Sequence, residues 1–377
     1  MTLSSPLWLG VYFFTYFFTY GIYLPFWSLW LSGIGQSPDS IGLLLGVGLA
    51  ARFTGNLCLT PRVKHAGLLI HALRLLGGLS LVTAGGFFFG QQHLWWLFVV
   101  MVLFNLINGP LIPLGDALAN TWQRQVGLDY GRARLWGSLA FIVGSTLIGW
   151  VIQLTDYRAA LWGLQISLVV LNLCWWMRPR TAPADVATRH GSQVSFADVL
   201  QSSNVVRFML CVTLLQGSHA AYYAFSTIYW SSLGYSTATI SMLWSIGVVA
   251  EILVFAFSGR VVSSWAIRTL LLISAIGVFI RWGMLAEVQS LGALILVQLM
   301  HGITFALCHV ASIRFIREQP ESHTIRLQAI YAALVTGGGI AVMTVISGYL
   351  YESLGSNVFW CMALLAIPAI MLRPSRG

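Results

Sequence analysis

The chain has 377 residues, 58% of them hydrophobic and only 8% charged, with a mean hydropathy of +0.80. A soluble domain carries roughly a quarter charged residues, and no stretch here is polar enough to coat one. The net charge of +9 does not indicate nucleic-acid binding, because the 20 Lys and Arg lie in short gaps between apolar runs rather than on one face or tail.

A membrane-spanning helix needs about 20 mainly apolar residues. Such runs occur near 7–31, 39–60, 67–90, 94–120, 134–153, 158–177, 205–231, 238–259, 266–286, 291–315, 326–350 and 355–372. The first is too long for the apolar core of a signal peptide, has no basic segment before it and is followed by no cleavage site, so it reads as a span. The expected class is an all-α membrane protein of twelve transmembrane helices. Residues 1–178 would form one six-helix bundle, 179–204 a cytoplasmic linker and 205–377 a second bundle. Cys58, Cys174, Cys211, Cys308 and Cys361 all fall in apolar runs without CxxC spacing, which gives neither a disulfide frame nor a metal site. No cofactor is expected.

Loop charges set the orientation. With the N-terminus inside, the inner loops receive Arg62, Lys64, Arg124, Arg132, Arg134, Arg178, Arg180, Arg189, Arg260, Arg268, Arg314, Arg317 and Arg326, and the tail ends on Arg373 and Arg376. The outer loops receive Arg158 alongside Asp39, Asp156 and Glu287. Both termini are therefore expected in the cytoplasm.

The halves also match each other. A shift of 199 residues, from Tyr23 to Tyr222, also carries Phe26 to Phe225, Gly35 to Gly234, Gly48 to Gly247 and Arg52 to Glu251. A shift of 193 carries Asn108-Gly109 to His301-Gly302 and Asp116 to His309. A parallel six-helix repeat is the architecture of major facilitator carriers, which hold substrate near the midplane.

Ionisable side chains in hydrocarbon cost at least about 2.5–3.5 kcal/mol on insertion scales, so they face cavities and pair. Arg52, Asp116, Glu251, Arg281, His219, His301 and His309 are in this position. Arg74 lies near the inner surface, within snorkelling range. Glu251 is the carboxylate deepest in the second half and suits reversible protonation. Asp116 and Arg134 flank one inner loop and could meet, and Arg52 could pair with Asp116 or an anionic substrate. The plainer reading of each is an interhelical bond that only fixes packing.

The string Tyr16-Phe-Phe-Thr-Tyr20-Gly-Ile-Tyr23-Leu-Pro25-Phe-Trp27 resembles the first helix of oligosaccharide:proton symporters such as lactose permease. Tyr130-Gly-Arg132-Ala-Arg134-Leu-Trp-Gly137 is similar to the start of their fifth helix. The resemblance places the substrate-binding acid at Asp116. It also puts Glu251, Arg281 and His301 where that family keeps its eighth-helix glutamate, ninth-helix arginine and tenth-helix histidine. This sequence departs from the family at Thr304, where a proton-releasing glutamate is expected, at Gln298 in place of a lysine, and at Phe141 in place of the stacking tryptophan. A seventh-helix aspartate is missing, and Thr60-Pro-Arg62-Val-Lys64 lacks the acid of the loop signature. Over nearly the whole chain the sequence resembles the 3-phenylpropionic acid transporter branch of the same superfamily, through Asn108-Gly-Pro-Leu-Ile-Pro-Leu-Gly-Asp116, Leu214-Leu-Gln216-Gly-Ser-His219-Ala-Ala-Tyr222-Tyr223 and Leu243-Trp-Ser-Ile-Gly-Val-Val-Ala-Glu251.

That resemblance implies a monomeric proton symporter of a small aromatic carboxylate in a bacterial inner membrane, with Glu251, His301 and Arg281 handling the proton. An arylpropionate needs an aromatic surface and a cation. Arg134 or Arg52 could supply the cation. Tyr20, Tyr23, Phe141, His219, Tyr222 and Tyr223, with Asp116, could complete the substrate site. Each aromatic has a bland alternative as packing or as an interface belt, the expectation for Trp95-Trp96 and Trp175-Trp176. Asp116 with Arg134 would serve a sugar or nucleoside as readily. A membrane enzyme is disfavoured, since no HExxH, Walker A or GxSxG string occurs.

Overall fold

The computed structural model describes residues 2–185 and 195–374; Arg189 and Arg376, expected on the inner side, lie outside them. The described chain is helical apart from one short parallel pairing, in which β1 (Thr2–Leu3) lies on β2 (Arg178–Pro179) with Thr2 opposite Arg178. The first seven helices are α1 (Ser5–Gly33), α2 (Pro38–Leu59), α3 (Leu69–Gly85), α4 (Leu94–Asn108), α5 (Leu111–Val126), α6 (Tyr130–Leu154) and α7 (Ala159–Trp175). After the linker come α8 (Phe196–Leu200), α9 (Ser203–Gly217), α10 (Ala220–Ser232), α11 (Thr237–Val261), α12 (Ile267–Glu287), α13 (Leu291–Leu299) and α14 (Cys308–Arg317). The chain ends with α15 (Glu321–Tyr331), α16 (Ile340–Leu354), α17 (Val358–Leu364) and α18 (Ala366–Met371).

Nine segments among the described residues are long and apolar enough to span a membrane. The last, Ser322–Met371, runs 50 residues and is broken by Gly355 at φ +54°, so it has the length of two spans. With α7 and the α9–α10 pair, the twelve expected spans are accommodated. Two compact units are formed: Met1–Ser40 with Val47–Thr188 and Gly234–Met242, and Ile41–Gly46 with Arg189–Leu233 and Leu243–Gly377.

The repeat reappears in the backbone. Gly35 and Gly234, related by the 199-residue shift, both take positive φ, +90° and +86°, in the turns that follow α1 and α10. Only glycine adopts that region without a steric penalty. Gly109 and Gly302, related by the 193-residue shift, each let a helix close on the one bearing a membrane charge. A Cβ on Gly109 would overlap the Arg52 carbonyl, and one on Gly302 would lie 2.9 Å from the Ala250 carbonyl oxygen. Close approach through small residues is how helices pack where lipid removes the hydrophobic drive.

α1 is buried on most of its circumference, with Trp8, Phe13, Phe26, Trp27 and Trp30 all hidden, as expected for a helix apolar all round at the centre of a unit. The tryptophan pairs divide. Trp95, Trp96 and Trp176 are exposed, which suits a belt, whereas Trp175 is core: it stacks on Tyr12 at 4.5 Å and donates to Thr15 Oγ1 at 3.0 Å. Arg74 does more than snorkel. Its Nε and Nη2 hold the carbonyls of Trp175 and Met177 at 2.8 and 3.0 Å, where α7 has run out of internal donors.

The start of the linker is strapped to the first unit. Arg180 N–H donates to Leu3 O, and the Gln125 amide donates to Ala182 O and accepts from Ala184 N. Asp185 accepts from Ala66 N–H at 2.7 Å and lies 3.2 Å from His65 Nδ1. The Ala66 amide first, then His65, holds the Asp185 carboxyl below its usual range. The loop between α2 and α3 has no acid of its own, and the linker brings one to it. α8 then starts from a capping box of Ser195 and Asp198.

Candidate functional site

The second unit carries a buried polar chain whose hydrogen bonds have fixed directions. α12 buries Arg281 completely. Its Nε donates to Val297 O at 2.9 Å, and Nη1 donates to Thr304 Oγ1 at 2.8 Å and to His301 Nδ1 at 2.9 Å. Arginine only donates, so His301 Nδ1 must accept and a neutral ring carries its proton on Nε2. That nitrogen faces Glu251 Oε2 at 3.7 Å. On the other side, His219 Nδ1 lies 3.1 Å from the Leu215 carbonyl, which can only accept, so Nε2 takes the Thr304 hydroxyl proton at 3.1 Å. The sequence of partners is Glu251, His301, Arg281, Thr304, His219.

Local backbone places Thr304 in this chain. Residues Gly302–Leu307 form a π-helical turn between α13 and α14, a departure that often marks functional sites. Tyr222 donates to Gln298 Oε1 at 2.8 Å, and the Arg281 guanidinium lies over the rings of Tyr222 and Trp282 at 4.8 and 4.3 Å. His309 leaves the chain for Tyr331, 3.2 Å away. Glu251 retains 28% side-chain exposure, against 7% for His301. The carboxylate is the open end of an otherwise sealed network.

The first unit has its own cluster on α1, α2 and α4. Arg52 Nη2 donates to the Tyr16 hydroxyl at 2.5 Å, and Tyr16 donates to Asn108 Oδ1 at 3.2 Å. The Arg52 guanidinium stacks 5.0 Å over Tyr20. Tyr23 accepts from Asn105 at 3.2 Å, and Tyr20 lies 6.2 Å from Phe141. A cleft with room for about one water (≈ 10 Å³) runs along Tyr16, Tyr20, Tyr23 and Asn108.

Among the described residues Asp116 and Arg134 form no direct ion pair, but Arg134 stays within electrostatic reach of both Asp116 and Tyr130. Asp116 accepts from Tyr130 at 3.0 Å, while Arg134 stacks on Phe17 at 4.1 Å. Arg52 bonds Tyr16 instead of Asp116.

Residues 7–362 match the MFS_1 like family. The chain belongs to that family. It is a multi-pass major facilitator transporter. It is 50% identical over 374 residues to a protein of Escherichia coli K12 named "Probable 3-phenylpropionic acid transporter", covering 99% of this chain and 98% of that one. The maltose permease of Geobacillus stearothermophilus is 26% identical over 91% of this chain and 86% of its own. In fold, the carrier resembles the crystal structure of the nucleoside transporter NupG, with a TM-score of 0.83, 17% identity and 98% and 99% coverage of the two chains.

Within this carrier the structure brings Glu251, His301 and Arg281 together, and Arg52 with Tyr20. Tyr222 and Tyr223 lie 5.4 Å apart, with Tyr223 half-buried and stacked on Trp244 at 6.3 Å. His219 is fully buried and engaged with Thr304. Sequence reasoning missed Tyr16, Asn108, Gln298 and Thr304 as members of these clusters. Tyr16 and Asn108 had a signal, being polar groups inside apolar spans. Thr304 and Gln298 were visible only as departures from a family pattern.

Proposed function

We propose that this carrier is a proton-coupled importer of a small aromatic carboxylate such as 3-phenylpropionate, working by alternating access in a bacterial inner membrane with both termini cytoplasmic. The observation that carries the coupling is the 3.7 Å approach of partly exposed Glu251 to buried His301, itself fixed by Arg281. A partly exposed carboxylate that also approaches a sealed cationic network can load and release a proton as access changes. The substrate class is supported by the half-identical relative named for 3-phenylpropionic acid. It is also supported by chemistry: Arg52 over Tyr20 and Arg281 over Tyr222 each join a cation to an aromatic face. The positive residues of the loops support the orientation.

The test is uptake of labelled 3-phenylpropionate into proteoliposomes. Accumulation driven by an inward proton gradient, and absent without one, is the expected result. The rival cargo, a sugar or nucleoside, has the maltose permease relative in its favour. A panel containing maltose and uridine decides between them: uptake of either with none of the aryl acid would overturn the substrate assignment.

A further inference from the structure

Two fully buried donors of the second unit make no hydrogen bond among the described residues: Arg281 Nη2 and Gln298 Nε2. They belong to one cluster. Gln298 spends its oxygen on the Tyr222 hydroxyl, and the Arg281 guanidinium lies over that same ring. The other Arg281 donors all meet neutral acceptors, Val297 O, His301 Nδ1 and Thr304 Oγ1. A buried donor without a partner forfeits its hydration with nothing in return, and a buried cation surrounded by neutral groups is more unfavourable still. One charged and one neutral N–H, both unused, match a carboxylate, which is acceptor-only and takes guanidinium as its strongest partner. A water molecule could accept the hydrogen bonds but would leave the charge uncompensated.

The approach is along α11. Gly247 has no side chain to screen the cluster; a Cβ there would lie 3.5 Å from Gln298 Oε1, 3.7 Å from the Tyr222 hydroxyl and 3.8 Å from His301 Cβ. Glu251 follows one turn later on the same face and is partly exposed. We infer that Arg281 Nη2 and Gln298 Nε2 form the seat of the transported carboxylate, reached along the face of α11 that carries Gly247 and Glu251. The inference rests on the aryl-carboxylate reading above and deepens it. It also supplies the coupling. The ligand anion and an ionised Glu251 lean on one cation through the Arg281–His301 pair, so the anion seats best when Glu251 holds a proton. By linkage, each then favours the binding of the other.

The experiment measures equilibrium binding of 3-phenylpropionate and of its neutral amide to the purified full-length carrier and to R281K, Q298L and G247V. Ligand-free thermal unfolding serves as the folding control. The wild type should prefer the acid to the amide by at least tenfold. Q298L and R281K should weaken acid binding roughly ten- to hundredfold, and G247V should obstruct it. If R281K does not fold, Q298L and G247V carry the test. Equal binding of acid and amide by the wild type overturns the seat. So does an acid affinity untouched by Q298L and G247V but lost in R134Q or R52Q. A wild type that binds no aryl acid but takes up a sugar or nucleoside overturns the substrate reading itself, a result distinct from a misplaced seat.

Discussion

Arg281 fixes the tautomer of His301: the guanidinium donates to Nδ1 at 2.9 Å, and the remaining ring nitrogen is thereby turned with its proton toward Glu251. In a histidine held this way the lone-pair nitrogen is already occupied by the guanidinium. On the coupling proposed above, the group that loads the proton is the carboxylate. The proposed coupling then divides the three residues into one carrier, Glu251, and two that set its surroundings.

Glu251→Gln keeps the shape and a hydrogen-bonding end but cannot ionise. Accumulation of substrate against its gradient in proteoliposomes should fall to the equilibrium ratio of about one, while exchange of internal for external substrate persists. Uphill uptake surviving in this variant would remove Glu251 from the coupling role.

Thr304 offers a sharper structural test because its hydroxyl is committed twice, accepting from Arg281 and donating to His219. Valine has nearly the same shape and can do neither. Thr304→Val should destabilise the protein by about 2–4 kcal/mol, since an arginine donor and a histidine acceptor are both left buried and unpaired. Thr304→Ser should stay within about 1 kcal/mol. Thermal unfolding in one detergent compares the two, and equal melting temperatures would contradict the assigned directions.

Much of this was legible in the sequence, for physical reasons. Apolar runs of spanning length are costly to place anywhere but in lipid, so the helices and the repeat were readable. Charges inside such runs are costly too, and Arg52, Glu251, Arg281 and His301 were marked by their cost alone. Pairing was harder to read. Asp116 and Arg134 flank one short loop, yet Tyr130 donates to the carboxylate and Phe17 lies under the guanidinium, because an aromatic partner satisfies an ion without announcing itself as a charge. The π-turn that presents Thr304 leaves no pattern in composition. Trp175 went to the core because burial of an indole depends on what lies across from it, here Tyr12 and Thr15.

The linker strap should loosen in acid. Asp185 is exposed, and its carboxyl is held below the ordinary value near 4 by the Ala66 amide and His65. A carboxyl depressed in the docked state favours docking above its free value, and that contribution disappears as pH falls through the lower, docked value. Amide exchange at Ala66 should be slow at neutral pH and accelerate, after correction for intrinsic rates, as the medium is taken below about pH 4. Asp185→Asn should show the faster exchange already at neutral pH. Unchanged protection in that variant would mean that Gln125 and the Arg180–Leu3 bond hold the strap without Asp185.

The paired glycines give a prediction that reaches both units at once. Gly109 and Gly302 each occupy the point where a helix touches the backbone beneath a membrane charge, the Arg52 carbonyl in one unit and the Ala250 carbonyl beside Glu251 in the other. A methyl at either point must push that backbone aside, at a cost of about 1–3 kcal/mol in a packed interior. The functional effects should separate. Gly302→Ala pushes the turn of α11 bearing Glu251 away from His301, so it should weaken binding of the acid at the neighbouring Arg281 and raise the proton concentration needed for half-maximal uptake. Gly109→Ala moves Arg52 and the Tyr16–Asn108 bond, neither of which belongs to the Arg281–Gln298 seat, so it should leave the pH profile preserved. Uptake measured against pH and against substrate concentration in both variants distinguishes these outcomes, and a pH profile shifted equally by the two would show that the clusters are not divided in this way.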